Sequence, residues 1–184
     1  MQKFALFVLC LALAGCGKAP DVPAPELLNA TIDIGGSQFT LSHGLLCNSP
    51  YATPDNQELD LVLFENQQAM EQYLKKTLQH KAPAIIDGVQ LSLTLRPRDD
   101  SDAYAAEIRF NDANGTEAIL LAGFAPKGVD DLPFPDNFPG EYEKTTVDGQ
   151  TVWHLTLEHE ETEDDGTVNR VSLEAKVPQM QLDF

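Results

Sequence analysis

Most of the chain after residue 30 alternates between apolar and polar residues, which is the pattern of β-strands with one buried face. In residues 89–95, for example, every second residue is Val or Leu, and the residues between them are Gln, Ser and Thr. Turn sequences such as Gly35-Gly36 and Asp148-Gly149 join several of these segments, as in tight hairpins. The pattern predicts about nine strands, at residues 31–34, 37–41, 59–64, 89–95, 106–110, 117–122, 142–147, 151–158 and 167–177.

Residues 67–79 have a different period, that of an amphipathic helix. Asn66 before this segment is a suitable N-cap, and Pro83 after it prevents the helix from continuing. Apolar or small side chains recur every three or four positions along it: Met70, Tyr73, Leu74, Thr77 and Leu78. We therefore expect a mainly β fold, an antiparallel β-sandwich or an open barrel, with one amphipathic helix that closes an end or a face of the sheets.

The first sixteen residues differ in composition from the rest of the chain. Residues 4–14 form an apolar run of eleven residues, which is too short for a helix that spans a bilayer, since spanning takes roughly 20. The run has the length of the apolar region of a signal peptide. It ends in Leu13-Ala14-Gly15-Cys16, which resembles the lipobox of bacterial lipoproteins, where small residues precede the lipidated cysteine. Cys10 follows the bulky Leu9 and does not fit this pattern.

The resemblance to lipoproteins covers only this segment, and it implies a location rather than an activity. In that family the signal peptide is cleaved before the cysteine, which then carries acyl chains such as palmitate. The resemblance thus implies a signal peptide at residues 1–15 and a lipid anchor on Cys16 in the bacterial cell envelope. Because Gly17 stands where an Asp tends to retain such proteins at the inner membrane, the outer membrane is expected, with the periplasmic or surface side left open. Residues 16–27, rich in Pro and Ala, are predicted as a tether, and residues 28–184 as one β-rich domain.

The charge of the chain narrows the choice of partners. With 12 Lys and Arg against 29 Asp and Glu, the formal net charge is −17. Such a surface repels nucleic acid and anionic headgroups and attracts basic proteins or cations, so nucleic-acid binding is excluded. After cleavage Cys47 is the single remaining cysteine beside Cys16, and its apolar neighbours predict a buried, unreactive thiol.

The acidic run at residues 158–166 is the first candidate site. Its carboxylates suit Ca²⁺ or Mg²⁺. With Gly166 at position six of an EF-hand loop, however, position twelve is Ser172, so the required bidentate acid is missing. No metal site is predicted, and the run is interpreted as a solvated hairpin tip or as a docking patch for a basic protein partner. The acids proposed to contact that partner are Glu160, Glu161, Glu163, Asp164 and Asp165.

The second candidate site is the connection at residues 125–140. A connection of about 15 residues without a regular pattern is uncommon in a compact domain unless it is functional. It contains four prolines, which limit the entropy lost on binding, and two aromatic residues, Phe134 and Phe138, which are suited to anchor a partner. The alternative is that both rings fold back over the sheet and cover the core.

Catalysis is not indicated by any motif, and neither a catalytic residue nor a cofactor is predicted. His43 and Cys47 are four residues apart, about 13 Å if they lie on one strand, whereas a thiol–imidazole pair needs about 3 Å. Three classes of function remain open. The first is a non-enzymatic binding or interaction module, the second an acidic inhibitor or immunity protein that captures a basic toxin or envelope hydrolase. The third, an envelope-polymer hydrolase, is favoured only if the fold brings acids together in a cleft.

Overall fold

The computed structural model describes residues 25–99, 101–112, 117–129 and 138–182. Cys16 and Phe134 lie outside the described residues. Within these ranges the chain forms ten strands and one helix. In chain order they are β1 (Leu27–Ile34), β2 (Ser37–Leu41), β3 (His43–Asn48), β4 (Leu59–Phe64), α1 (Gln67–His80), β5 (Gln90–Pro97), β6 (Tyr104–Asn111), β7 (Glu117–Pro126), β8 (Gly140–Val147), β9 (Gln150–Thr162) and β10 (Val168–Met180).

Eight of these strands, β3 to β10, close into a barrel. Each strand from β3 to β9 pairs with the next, and β10 closes the ring by pairing with both β9 and β3. β1 pairs with β10, and β2 with β1, as two further strands outside the ring. The mainly β class with one helix is confirmed. The expected sandwich or open barrel is corrected to a closed barrel.

Two parallel pairings between barrel strands also correct the expectation of a wholly antiparallel sheet. β10 pairs with β3 in parallel over two residue pairs, and β7 pairs with β8 in parallel over three. Alternation of apolar and polar residues is the same in a sandwich and in a barrel. Because the parallel pairings are so short, they leave no additional pattern by which the sequence could reveal closure.

Apolar side chains fill two separate clusters. The inward-facing residues of the barrel strands, such as Leu61, Leu93 and Ile108, form the larger one inside the ring. The smaller cluster lies between α1 and the outer faces of β3 and β4, where the rings of Tyr73 and Phe64 are 5.3 Å apart. β4 is therefore buried on both faces. Full burial of one such side chain stabilises the fold by about 1.5–3 kcal/mol.

Helix α1 covers a face of the barrel, and its bounds follow from its capping residues. The side chain of Asn66 accepts a hydrogen bond from the backbone N–H of Ala69 at 3.0 Å, which confirms the predicted N-cap. The helix ends at His80, because Lys81 adopts the left-handed conformation and its N–H is bonded to the carbonyl of Thr77. Within the described ranges, no helix combines the length and the apolar composition that crossing a bilayer requires.

Three aromatic rings form a cluster within the barrel core, and the ammonium of a lysine lies against their ring faces. The rings of Tyr104, Tyr142 and Trp153 are buried, with centroids 5.2 to 5.5 Å apart. The ammonium of Lys144 lies 4.2 Å from the Trp153 centroid and donates a hydrogen bond to the hydroxyl of Tyr104 at 2.8 Å. Since the three rings lie within cation–π distance of the ammonium, Lys144 stabilises the cluster from its solvent side.

We expect the substitution Lys144→Gln to lower the free energy of unfolding by about 1–2 kcal/mol, because it removes the cation from three ring faces at once. Urea unfolding followed by the fluorescence of Trp153 measures the change. Lys127→Gln is the matched control: it removes the same charge from an exposed lysine whose ammonium lies 3.7 Å from a Glu143 carboxylate oxygen. An equal loss in both variants would show that only the global charge matters.

Candidate functional site

The acidic run lies at the end of the hairpin formed by β9 and β10. Glu160 and Glu161 belong to β9, and Glu163, Asp164 and Asp165 lie in or next to the turn that leads to β10. All five side chains are exposed. We name these five residues the acidic tip. They form a concentrated negative surface.

Several side chains of the acidic tip are held in place by the hairpin itself. Glu163 accepts a hydrogen bond from the Asn169 side chain at 3.1 Å, and Asp165 accepts one from the backbone N–H of Thr167 at 2.8 Å. Glu160 forms an ion pair with Arg170 on the opposite strand. Among the residues that the structure describes, no group of three His, Cys, Asp or Glu side chains is placed to hold a metal ion. The tip is therefore an ordered acidic surface.

Phe138 lines a shallow recess of about 360 Å³ near the start of the acidic tip. The recess is lined by Phe138, Leu121, Arg98 and His159, and we name it the Phe138 recess. The guanidinium of Arg98 lies over the Phe138 ring, 5.6 Å from its centroid. On the other side, Nε2 of His159 is 3.9 Å from a carboxylate oxygen of Glu161. The structure thus brings Phe138 and the base of the acidic tip together.

The wall next to this recess exposes apolar side chains. Leu121 and Ile119 lie two residues apart on β7 and so point to the same face of the sheet. They are 70% and 47% exposed, respectively. Sequence reasoning missed them, because β7 was expected to be an ordinary half-buried strand. Leu121 shares the recess with Phe138, and Ile119 extends the exposed apolar area along β7.

A cleft of about 400 Å³ lies on the outer face of β4, β5 and β6, beside α1. Its polar wall consists of side chains that point away from the barrel interior, and Tyr51 and Ile85 stand at its mouth. We name it the outer-wall cleft. The polar and charged residues of its wall include Ser49, Glu58, Asp60, Gln90, Ser92, Thr94, Arg96, Glu107 and Arg109.

Asp60 is the most deeply buried carboxylate of the outer-wall cleft, at 5% exposure. One of its oxygens accepts a hydrogen bond from the hydroxyl of Thr94 at 2.9 Å. Burial raises the pKa of Asp60, and this effect outweighs the hydrogen bonds of Thr94 and Ser49, which act in the opposite direction. An acid inside the otherwise apolar strand Leu59–Phe64 was the signal in the sequence that could have revealed this site.

A chain of ion pairs crosses the same wall. Arg96 of β5 lies 3.6 Å from a carboxylate oxygen of Glu58 and 3.3 Å from one of Glu107 on β6. Arg109 also pairs with Glu107. Partial burial would raise the pKa of Glu107, but the hydrogen bonds and charges of Arg109 and Arg96 outweigh it and lower this pKa. Both glutamates of the cleft are therefore neutralised by arginine.

Cys47 lies in β3 behind the cleft and is buried, which confirms the prediction. Its sulfur is 3.8 Å from the backbone carbonyl oxygen of Asp60. Burial, and to a lesser extent the nearby carboxylate of Asp60, raise the pKa of Cys47 to about 12. Because the thiolate is the nucleophilic form, this thiol is unreactive near neutral pH.

No protein-family model, no curated protein sequence and no solved structure matches this chain. Its function is therefore inferred from the chemistry of three surfaces: the acidic tip, the Phe138 recess and the outer-wall cleft. The first two lie side by side and offer charge next to apolar area. The third offers paired charges and buried polar groups.

Asp60 and Asp165 are expected to change stability with pH in opposite directions. The folded-state pKa of Asp60 is raised, so the folded protein loses stability as pH rises from the ordinary aspartate value through that pKa. Hydrogen bonds from Thr167 lower the pKa of Asp165, so its contribution is present above the ordinary value and is lost as pH falls.

Relative to the wild type, Asp60→Asn should therefore gain stability as pH rises, and Asp165→Asn should lose it. Urea unfolding at several values between about pH 3 and 7 measures both differences. Each variant serves as the control of the other, because both remove one negative charge. Differences that run in the same direction for the two variants would contradict the assignment.

Proposed function

We propose that this protein is a non-enzymatic binding module of the bacterial cell envelope, held at a membrane by lipids on Cys16, and that it captures a basic protein partner. The observation that carries the proposal is the proximity of the Phe138 recess to the acidic tip: His159, which lines the recess, has its Nε2 3.9 Å from a carboxylate oxygen of Glu161. Exposed apolar side chains with charged groups around them are the usual anatomy of a protein interface.

The chemistry of this surface specifies the partner. Leu121 and Phe138 can take an apolar or aromatic side chain, which would supply most of the binding energy once water is excluded. The acids of the tip, among them Glu163 and Asp164, favour Lys and Arg around that anchor and accelerate association. The expected partner therefore presents an apolar side chain in a basic surface.

A lipid anchor is consistent with the charge of the domain. At −17 the chain is repelled by anionic headgroups, so a peripheral electrostatic attachment is unfavourable. Two or three acyl chains on Cys16 would supply stable attachment, whereas one alone is marginal. The absence of Asp after this cysteine supports the outer membrane. The predicted tether is shorter than residues 16–27, because Glu26 is already bonded to β10 and β1 begins at Leu27, and it would leave the binding face clear of the lipid surface.

An inhibitor or immunity protein is the second candidate, favoured by the exposure of all five acids of the tip. The two candidates differ in whether capture blocks the activity of a basic enzyme. The third candidate, a hydrolase, requires acids that the fold brings together in a cleft. The outer-wall cleft does contain three acids. Glu58 and Glu107 are however paired with Arg96, which makes them poor partners for Asp60 in acid–base catalysis.

The anchor is tested by Cys16→Ala, with Cys10→Ala as the matched control. We expect the Cys16 variant to leave the membrane fraction and to carry no acyl group in mass spectrometry, because its thioether cannot form. The Cys10 variant should fractionate like the wild type, since Cys10 lies before the expected cleavage site. Retention of the Cys16 variant in the envelope would contradict the anchor.

The binding face is tested with lipidated protein as bait for an envelope extract, followed by affinity measurements with the partner that mass spectrometry identifies. Leu121→Ser should weaken binding by about tenfold or more at any salt concentration. The double variant Glu163→Gln/Asp164→Asn should weaken it mainly at low salt. Val147→Ser, at an exposed valine that ends β8, is the control. If neither variant weakens capture of the partner, the proposal is overturned. A steep loss of affinity with rising salt would favour the inhibitor or immunity protein over a general binding module.

A further inference from the structure

Buried polar side chains are concentrated at the outer-wall cleft. Among the described residues six polar or charged side chains are buried, and four of them line this cleft: Ser49, Glu58, Asp60 and Gln90. The same outer wall is apolar under α1, where Val62 and Phe64 pack against the helix. Because burying polar groups costs free energy without adding apolar packing, this concentration points to a ligand.

Gln90 gives this cleft an unused acceptor. Its amide nitrogen donates to the carbonyl of Ala84 at 3.2 Å and to the hydroxyl of Ser92 at 3.0 Å, which fixes the orientation of the amide. Its Oε1 is buried and has no hydrogen-bond partner within the part of the chain that the structure describes. A buried acceptor of this kind is rare in native proteins and is satisfied by a donor from a ligand or a water.

The charges of the cleft select against an ionic ligand. An anion would have to displace Glu107 from Arg96 and Arg109, whose guanidiniums already bind it. A cation would have to reach Asp60, which is buried behind the hydroxyl of Thr94. A neutral ligand with many hydroxyl groups can instead use the same groups as they stand, accepting from the guanidiniums and donating to the carboxylates.

The mouth of the cleft supplies the apolar contact that a carbohydrate ring needs. Tyr51 is 65% and Ile85 is 71% exposed, although both are large apolar side chains and both line the cleft. An exposed tyrosine ring beside planar polar side chains matches a sugar, which has C–H groups on one face and hydroxyls around its edge. The volume of about 400 Å³ falls in the usual range of small-molecule sites.

We infer that the outer-wall cleft is a binding site for a neutral oligosaccharide, distinct from the protein-binding face. The two sites are neighbours, since Glu107 of the cleft pairs across β6 and β7 with Leu121. Tyr51 stacks on one sugar ring, while Glu107, Arg96 and Ser92 bind its hydroxyls. This site would bind sugar whether or not the protein-binding face captures a basic partner.

The test is isothermal titration calorimetry of the lipidated protein in a polyoxyethylene detergent, which carries no sugar headgroup. The probes are three neutral tetrasaccharides (chitotetraose, cellotetraose and maltotetraose), inorganic phosphate and tetralysine. We expect saturable binding of at least one tetrasaccharide below about 10 mM, unchanged by salt, and no binding of the two ions in the cleft.

Two pairs of variants test whether the measured binding heat comes from the cleft. Tyr51→Ala should weaken tetrasaccharide binding by about tenfold or more, and its control Val129→Ala, at another exposed apolar side chain, should not. Glu107→Gln should weaken it likewise, and its control Glu174→Gln, on the outer face of β10, should not. Each cleft variant is first shown to unfold at the wild-type urea concentration.

Three outcomes would overturn the inference: no tetrasaccharide binds, binding is insensitive to both cleft variants, or phosphate or tetralysine binds in a way that Tyr51→Ala abolishes. If sugar binding fails while capture of the basic partner persists, only this inference falls. If capture fails while Tyr51-dependent sugar binding persists, only the proposed protein-binding function falls.

Discussion

The fold depends on the pairing of one strand, β10, with three others. Along its length β10 is bonded to β9 on one edge and to β1 on the other, and its last residues pair with β3. Without the two residue pairs to β3 the ring would be an open sheet with a free edge. Closure gives the inward-facing apolar side chains one enclosed interior, and α1 covers the apolar outer faces of β3 and β4.

This division of the wall explains where the candidate sites lie. α1 covers the outer faces of β3 and β4, and the polar face from β4 to β6 remains beside it as the outer-wall cleft. Further around the ring, β7 pairs with β8 over only three residue pairs, and Leu121 lies outside that paired region. The Phe138 recess occupies this part of the wall, next to the long β9–β10 hairpin that carries the acidic tip.

The sequence was sufficient for elements whose pattern is local. The helix and its Asn66 cap, the fully buried strand Leu59–Phe64 and the burial of Cys47 follow from short-range spacing and composition. β3 was not predicted as a separate strand, because its residues His43–Asn48 are buried on both faces and do not alternate. Strand β9 was expected to end at residue 158, before the acidic run. Instead its pairing with β10 continues to Thr162, and Glu160 lies opposite Arg170.

The candidate sites were less predictable, because they depend on register between strands. Glu58, Arg96 and Glu107 come from three separate segments, and their ion pairs form only because β4, β5 and β6 pair in this alignment. Asp60 alone was visible, as an acid in an apolar strand. The lipid anchor is the opposite case, since it is predicted from four adjacent residues and lies outside the described part of the chain.

The ion pairs of the cleft fit the binding role that we propose for it. A catalytic site holds charged or polar groups that gain their full electrostatic partners only when charge develops in the transition state. Here Glu107 is already held by two arginines, so little electrostatic free energy remains at this group for a developing charge, whereas Asp60 is buried beside the hydroxyl of Thr94 with a raised pKa. The same paired groups can still donate to and accept from a neutral molecule without being separated. A wall of arginine-paired glutamates is therefore suited to the neutral ligand proposed for this cleft.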